Sequence, residues 1–340
     1  MKRFAHLGTM GTMGTMAVRS AAMLGMVAVI ASGTAVAQQF RFNIGTVLDP
    51  KHPVNIGLTR MVEVADKESA GRLKLVLFPA SQLGGQREMW QNTQAGVIGG
   101  LVDPSAQLAN FVPQFGVLDL PYLAQNADDA LKLLDGPVVA KELSALAPPA
   151  GFRIVDYWEV TFRNIYTRFP LNGVQDLKGR KIRVIPNPTF IALFRGLGAA
   201  PTPMAFGELY TALQQGVVDG AENDSVTYFT TKHFEVARNL AITNHMMLVN
   251  TFVFSEKQWQ RLPEDLKAVL KKASLEGRKT MLDTRRALES KVLDDIRATG
   301  VTIVRPDLKP FVESGKKTWA ESEARLGKEL MGKIIAALGN

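Results

Sequence analysis

Strand-type and helix-type periods take turns along this chain, and that alternation restricts its fold more than any other feature of the sequence. Residues 40–47 and 73–78 read as strands, and between them 52–69 carry Ile56, Leu58, Met61, Val62 and Val64 at helical spacing. Residues 127–146 read as a helix, 152–160 as a strand, 181–185 as a strand and 190–197 as a helix. A helical pattern follows at 207–215 and an extended apolar stretch at 241–254. Such alternation predicts parallel sheets covered by helices, the α/β class. From Pro263 to Gly300 a charged amphipathic pattern runs without an internal proline. As one helix it would reach about 50 Å, long enough to lie across two lobes.

The material for two domains is present. No cysteine occurs, which excludes disulfide frameworks, thiolate metal sites and cysteine nucleophiles, so stability must come from packed cores. The chain is 46% hydrophobic, enough for two ordinary domains once a leader is set aside. That leader is residues 1–37, where Lys2, Arg3 and Arg19 precede an apolar run from Ala21 to Ala31 that ends in Ala35-Val36-Ala37. Cationic start, short apolar core and small residues before the cut describe a secretory signal peptide, so export to the periplasm is expected. No stretch of the remainder is rich enough in Gly, Ser or Pro to be a tether, so strands that cross between lobes should join them.

Several functions are excluded or disfavoured. The formal charge of +8 includes three leader cations, leaving 8 − 3 = +5, and the cations are interspersed with acids, as in Lys271-Lys272 to Glu276 to Arg278-Lys279. Nucleic acid is therefore not an expected partner. Nucleotide-binding glycine loops, the HExxH zinc motif, the GxSxG elbow and the EF-hand loop are all missing. His52, His233 and His245 are too far apart in sequence to suggest a metal site, and no cofactor is expected.

One stretch is dense and unusual: Asp176-Leu-Lys-Gly-Arg-Lys-Ile-Arg-Val-Ile-Pro, followed by Pro201-Thr-Pro-Met-Ala-Phe-Gly-Glu-Leu-Tyr and by Gly216-Val-Val-Asp-Gly-Ala-Glu-Asn. Together with Phe78-Pro-Ala-Ser-Gln-Leu-Gly-Gly, Phe111-Val-Pro, Val117-Leu-Asp-Leu-Pro-Tyr and Phe162-Arg163, it resembles the solute-binding proteins of tripartite ATP-independent periplasmic (TRAP) transporters, the C4-dicarboxylate and sialic acid receptor family. The resemblance covers nearly all of the chain after the leader. It implies a two-lobe periplasmic-binding-protein-like fold of the class II type, with hinge-crossing strands and a long helix spanning both lobes. The expected division is 38–160 with 249–290 as lobe I and 161–248 with 291–340 as lobe II.

The resemblance also implies that Arg183, in Lys-Ile-Arg-Val, holds a ligand carboxylate. A guanidinium suits that task, since its planar fork gives two parallel hydrogen bonds and cannot lose its charge. On residue type alone, Arg183 is equally a strand-end arginine in solvent or beside an acid. Phe206 and Asn223 fall where the family has a contacting aromatic and amide; the alternatives are core packing and a turn after Gly220. Arg163 follows the family's second arginine, with a structural ion pair near the hinge as its alternative. Gln86, Ser105 and His52 are first-lobe candidates that could equally be helix caps or loop residues. Glu222, with Asp224, Tyr228 and His233, would lie near the second-lobe site or behind it. Asp219-Gly-Ala-Glu-Asn-Asp departs from the Asp-Gly-Gln-Glu-Asn-Pro of many dicarboxylate receptors and looks more like members that take sugar acids or hydroxy acids. The expected protein is thus a monomeric, non-enzymatic receptor that hands a small organic acid to a TRAP permease. An exported α/β enzyme and an ATP-driven (ABC-type) uptake receptor are the rival readings.

Overall fold

The computed structural model describes residues 39–339, so the signal peptide expected over residues 1–37 lies outside the described part. Nine strands form a single sheet: β1 (Phe40–Gly45), β2 (Leu73–Phe78), β3 (Gly100–Pro104), β4 (Phe152–Thr167), β5 (Lys181–Val184), β6 (Ala200–Pro203), β7 (Gly220–Asn223), β8 (Asn239–Ser255) and β9 (Thr302–Val304). Their order is β2-β1-β3-β8-β4-β7-β5-β6, with β9 beside β8. The parallel pairing read from the sequence occurs toward the two ends, where β2, β1 and β3 run parallel, as do β7, β5 and β6, and where the short β9 runs parallel to the start of β8. Between them β4 and β8, of 16 and 17 residues, pair antiparallel and thread both halves of the molecule. β6 contains Pro201 and Pro203, which cannot donate to a ladder, and so it closes one edge.

Irregular pairing in the β4/β8 ribbon marks the middle of the molecule. Register shifts occur at three places, the last between Arg163, opposite Met246, and Ile165, opposite Ala241. The intervening backbone is satisfied by Asn164, whose Oδ1 accepts from the N–H groups of Thr243 and Asn244 at 2.9 and 3.1 Å. Bulged strands bend and twist.

Four apolar cores divide in the same way. Two belong mainly to the first half: Trp90, Phe115 and Phe152 anchor one, and Leu58, Met61, Trp158 and Leu270 the other. Two belong to the second half, around Phe190, Phe194 and Phe311 and around Tyr166, Leu213 and Ile296. The C-terminal helices Lys309–Leu326 and Lys328–Ala337 connect them, with Phe311 in a second-half core and Leu326, Met331 and Ile334 in a first-half one.

Two expected helices are interrupted. The pattern over 127–146 is α-helical only from Ala127 to Asp135, because Gly136 precedes Pro137 and adopts extended backbone, as residues before proline do. The pattern over 263–300 gives Glu264–Glu289, 26 residues or about 39 Å, and then a separate helix Val292–Ala298. The break falls where the Ser290 hydroxyl bonds back to the Ala287 carbonyl at 2.9 Å, competing with the helix's own ladder. The long helix packs on Pro53–Glu68 at a point where Gly57 faces Gly277; a Cβ on either would come within 2.7 Å of the other's carbonyl oxygen. It is pinned to β4 by Ser274, which accepts from Trp158 Nε1 at 2.7 Å, by Arg278 with Asp156 at 3.1 Å, and by Arg285 with Glu159 at 2.7 Å. Among the described residues, no helix is long and apolar enough to cross a membrane.

Candidate functional site

A narrow cleft lies where the bent ribbon brings the two halves together, with about 460 Å³ of atom-free space including its mouth. Its walls come from β3 (Val102, Asp103, Pro104), the loop after β1, β4, β5, the end of β7 and the middle of β8. Of the eight residues expected at a site, the structure brings five to this cavity: Gln86, Arg163, Arg183, Phe206 and Asn223.

Arg183 sits on β5 with 1% of its surface exposed. Its Nε and Nη2 both donate to the Met204 carbonyl, at 3.0 and 2.8 Å, because β6 delivers Met204 directly beside β5. Two residues later the Phe206 ring lies 5.8 Å from the guanidinium carbon. Among the described residues Arg183 has no acid within ion-pair distance, and burial lowers its pKa to about 10. A buried charge without a counter-charge is costly, since desolvation is not offset by Coulomb attraction.

Arg163 is the opposite case. It is also buried, but its Nε meets Glu222 Oε2, its Nη2 donates to Glu222 Oε1 at 2.9 Å and to the Glu222 carbonyl at 2.6 Å, and its Nη1 donates to Asn223 Oδ1 at 2.9 Å. Burial opposes ionisation of Glu222, yet Arg163 and His245 outweigh it and hold the carboxyl below its usual range. Glu222 therefore stands behind Arg163 rather than in the cavity wall. Asn223 Oδ1 is occupied by Arg163 and by the Asp224 N–H, so its Nδ2 is the part of the amide without a partner among the described residues.

The other first-lobe candidates take supporting places outside the lining. His52 caps the helix Pro53–Glu68, its Nδ1 accepting from Val54 N at 3.2 Å; its Nε2 lies 3.2 Å from Thr227 Oγ1. With Nδ1 accepting, Nε2 carries the proton, and burial keeps the ring neutral. Thr227 in turn donates to Asp224 Oδ2 at 2.6 Å. Ser105 opens a short helical turn next to Pro104, its Oγ buried without a hydrogen-bond partner. Tyr228 donates to the Ala237 carbonyl, and His233 bonds Tyr166 behind the Phe206 ring.

Asp224, expected near the second-lobe site, lines the cavity, whereas Asp103 and Asn250 are lining residues that the sequence reading does not name. Asp224, the cap of Ser225–Thr230, is ion-paired to Arg285 at 2.7 Å; burial opposes its charge, but Arg285 and the Thr227 donors hold it far below the carboxylate range. Asn250 donates to Glu159 at 2.5 Å, and Glu159 shares Arg285. Asp103 accepts from Gln86 Nε2 at 2.8 Å and from Trp90 Nε1 at 2.7 Å. The only sequence trace of Asp103 is an acid set into an otherwise apolar strand, Gly-Leu-Val-Asp-Pro. Among the described residues no cluster of three or more His, Asp or Glu could hold a metal ion.

Comparison with known proteins places this geometry. Residues 44–326 match the model of the DctP family, described as bacterial extracellular solute-binding protein, family 7. The chain belongs to that family. Family 7 comprises TRAP transport receptors rather than enzymes. The sialic acid-binding periplasmic protein SiaP of Vibrio cholerae is 30% identical over 277 residues, 81% of this chain and 86% of that protein. The 2,3-diketo-L-gulonate-binding periplasmic protein YiaO of Escherichia coli is 29% identical, over 85% of this chain and 88% of its own length. Among solved structures, the sugar acid binding protein DctPAm of Advenella mimigardefordensis in complex with galactonate superposes with a TM-score of 0.85 at 29% identity, covering 89% of this chain and 98% of that one. The expected two-lobe fold with crossing strands is thus the fold of this family 7 receptor, and small acids are the ligands that these relatives' names record.

Proposed function

We propose that this receptor binds a small organic acid, a sugar acid or hydroxy acid, through a salt bridge from Arg183 in a cleft between lobe I (38–160 with 249–290) and lobe II (161–248 with 291–340), and delivers it to a TRAP permease. The observation that carries this reading is the contrast between two buried arginines lining one cavity. Arg163 has its counter-charge in Glu222, whereas among the described residues Arg183 contacts only a carbonyl and an aromatic ring. A ligand carboxylate would supply the missing charge, and the Phe206 ring beside it would keep water from the pair and strengthen it. Arg163, already neutralised, serves to hold Asn223 with its amide N–H groups free for the same ligand.

The sugar-acid class is supported by the amide and acid side chains around Arg183, namely Gln86, Asp103, Asn223 and Asn250, which suit hydroxyl groups, and by the ligands in the relatives' names. Titration calorimetry with the acid identified by mass spectrometry of natively purified protein tests the role of Arg183. Arg183→Lys keeps the charge but loses the fork and should weaken binding on the order of 30-fold, the lower end of the 2–5 kcal/mol that breaking a buried charge pair costs. Arg183→Ala should lose more, while the melting temperature of the ligand-free protein changes little. Wild-type affinity with a lowered ligand-free melting temperature would show instead that Arg183 is a structural support.

A further inference from the structure

We infer that Asp103 sets the class of acid this receptor accepts, selecting monocarboxylic polyhydroxy acids and rejecting their dicarboxylic counterparts. The inference rests on the Arg183 reading above and extends it to the far end of the ligand. Asp103 lies on β3 and Arg183 on β5, four strands apart in the sheet order, yet both line the one cavity. A ligand anchored by its carboxylate at Arg183 therefore reaches toward Asp103 with its remaining carbons.

What Asp103 offers there follows from its partners. It is 1% exposed, and its two hydrogen bonds come from neutral groups, Gln86 and Trp90. The other cavity acid, Asp224, is neutralised by Arg285, and the cavity cation Arg163 by Glu222. Asp103 is thus the cavity acid whose charge no cation balances among the described residues. A carboxylate has about four lone-pair positions, and Gln86 and Trp90 use two, so acceptor capacity remains for ligand hydroxyls. A second ligand carboxylate at that end would meet a like charge in a poorly hydrated space, an arrangement that costs several kcal/mol. Gln86 is a positioning residue for the acceptor, its Nε2 fixed on Asp103 and its Oε1 3.4 Å from Gln107 Nε2.

Burial raises the Asp103 carboxyl to about 7. The charged groups around it are Arg163, Arg183 and Asp224 in the same cavity, with Arg87 and Glu88 on the Gln86 helix and Arg41 on β1 exposed, while β8 presents the neutral Asn250 and Thr251 opposite β3. Discrimination against a second carboxylate should therefore sharpen as pH rises through neutrality.

The test uses pairs of acids that differ only in whether the terminal carbon is CH2OH or a carboxylate: erythronate and mesotartrate, gluconate and glucarate, galactonate and galactarate. Calorimetry on the wild-type protein at pH 8 should show at least one monocarboxylate preferred over its dicarboxylate partner by about tenfold or more. Asp103→Asn should shrink that preference, chiefly by improved binding of the dicarboxylate. An unchanged preference in Asp103→Asn, equal wild-type affinity for both members of each bound pair, or binding of none of the pairs overturns the inference. Should Asp103→Asn not fold, the wild-type preference must be smaller at pH 6 than at pH 8, and a flat profile overturns it. Arg183→Ala is measured with the same acids, or with the co-purified acid if none binds: loss of binding there with no Asp103 effect rejects this inference alone, whereas full retention rejects the Arg183 reading itself.

Discussion

Arg183, Asp103 and Asp119 share an unusual condition: each is buried and each lacks a full counter-charge. Asp119, near the start of the Leu-Asp-Leu-Pro-Tyr motif, accepts from Asn187 Nδ2 at 3.0 Å, and its other oxygen has no partner; Arg325 and Arg163 act on it only through space. Burial raises its carboxyl to about 8, as it raises Asp103 to about 7. Both values lie above the ordinary carboxylate value near 3.9, so the folded chain keeps protons that the unfolded chain has released. Stability from these groups is therefore full below about pH 4 and is lost as pH rises toward 7 and 8. The buried histidines His52, His233 and His245 have lowered values from desolvation and act in the opposite sense, losing stability as pH falls below about 6.5. The diagnostic is consequently a difference. Between pH 5.5 and 8.5 the ligand-free melting temperatures of Asp103→Asn and Asp119→Asn should each change relative to wild type, rising against it toward high pH. Melting curves for variant and wild type that stay parallel across that range would mean the carboxyls are ionised throughout.

Two helices meet without side chains at Gly57 and Gly277, and the packing of the first half depends on that contact. A Cβ at Gly57 would lie 2.6 Å from the Gly277 carbonyl oxygen and 2.7 Å from Met281 Cβ, with Trp158 behind at 3.2 Å. Gly57→Ala should therefore force the helices apart and cost about 1–3 kcal/mol, a drop of several degrees in melting temperature. Gly332→Ala is the control: nothing lies within 4 Å of its Cβ, and alanine's better helix propensity should leave stability equal or slightly higher. Equal melting temperatures for Gly57→Ala and wild type would deny the close crossing. The residues at this contact also explain what the sequence conveyed and what it did not. The helix beginning at Pro53 was legible because Leu58, Met61 and Val64 repeat at its period. Lys309–Leu326 was not, because its buried face is Phe311, Gly315, Thr318, Ser322 and Leu326, which has helical spacing but little apolar signal. β6 and β7 were missed for the same kind of reason: four residues with two prolines, and Gly-Ala-Glu-Asn, carry no strand period. In the cavity lining, Arg183, Phe206 and Asn223 were legible through a family motif. Asp103 and Arg285 were not, because what distinguishes them is the partners that distant strands and helices supply.

Beside the β4/β8 ribbon and the C-terminal helices, hydrogen bonds join the two halves of the molecule. His52 Nε2 meets Thr227 Oγ1 at 3.2 Å, Asn110 Nδ2 donates to the Pro186 carbonyl at 2.9 Å, and Asn187 Nδ2 donates to the Ala106 carbonyl at 2.8 Å. Each joins a residue of proposed lobe I to one of proposed lobe II. A ligand that touches both proposed lobes would stabilise the arrangement in which these bonds are made by its differential affinity for it. Small-angle scattering should accordingly give a smaller radius of gyration with saturating ligand than without, and Arg183→Ala should not contract under the same conditions. An identical wild-type profile in both states would mean a rigid receptor. The long ribbon has a further consequence for how such a chain comes to be folded. β3 finds its central neighbour in β8, where Gly100 pairs with Phe254, 254 − 100 = 154 positions later. The first half of the molecule cannot complete its sheet until most of the chain exists, and pairing over such separations is slow. A nascent polypeptide with this topology leaves that edge of β3 without its partner until β8 has been made, whereas β5, β6 and β7 find theirs within a short span of chain.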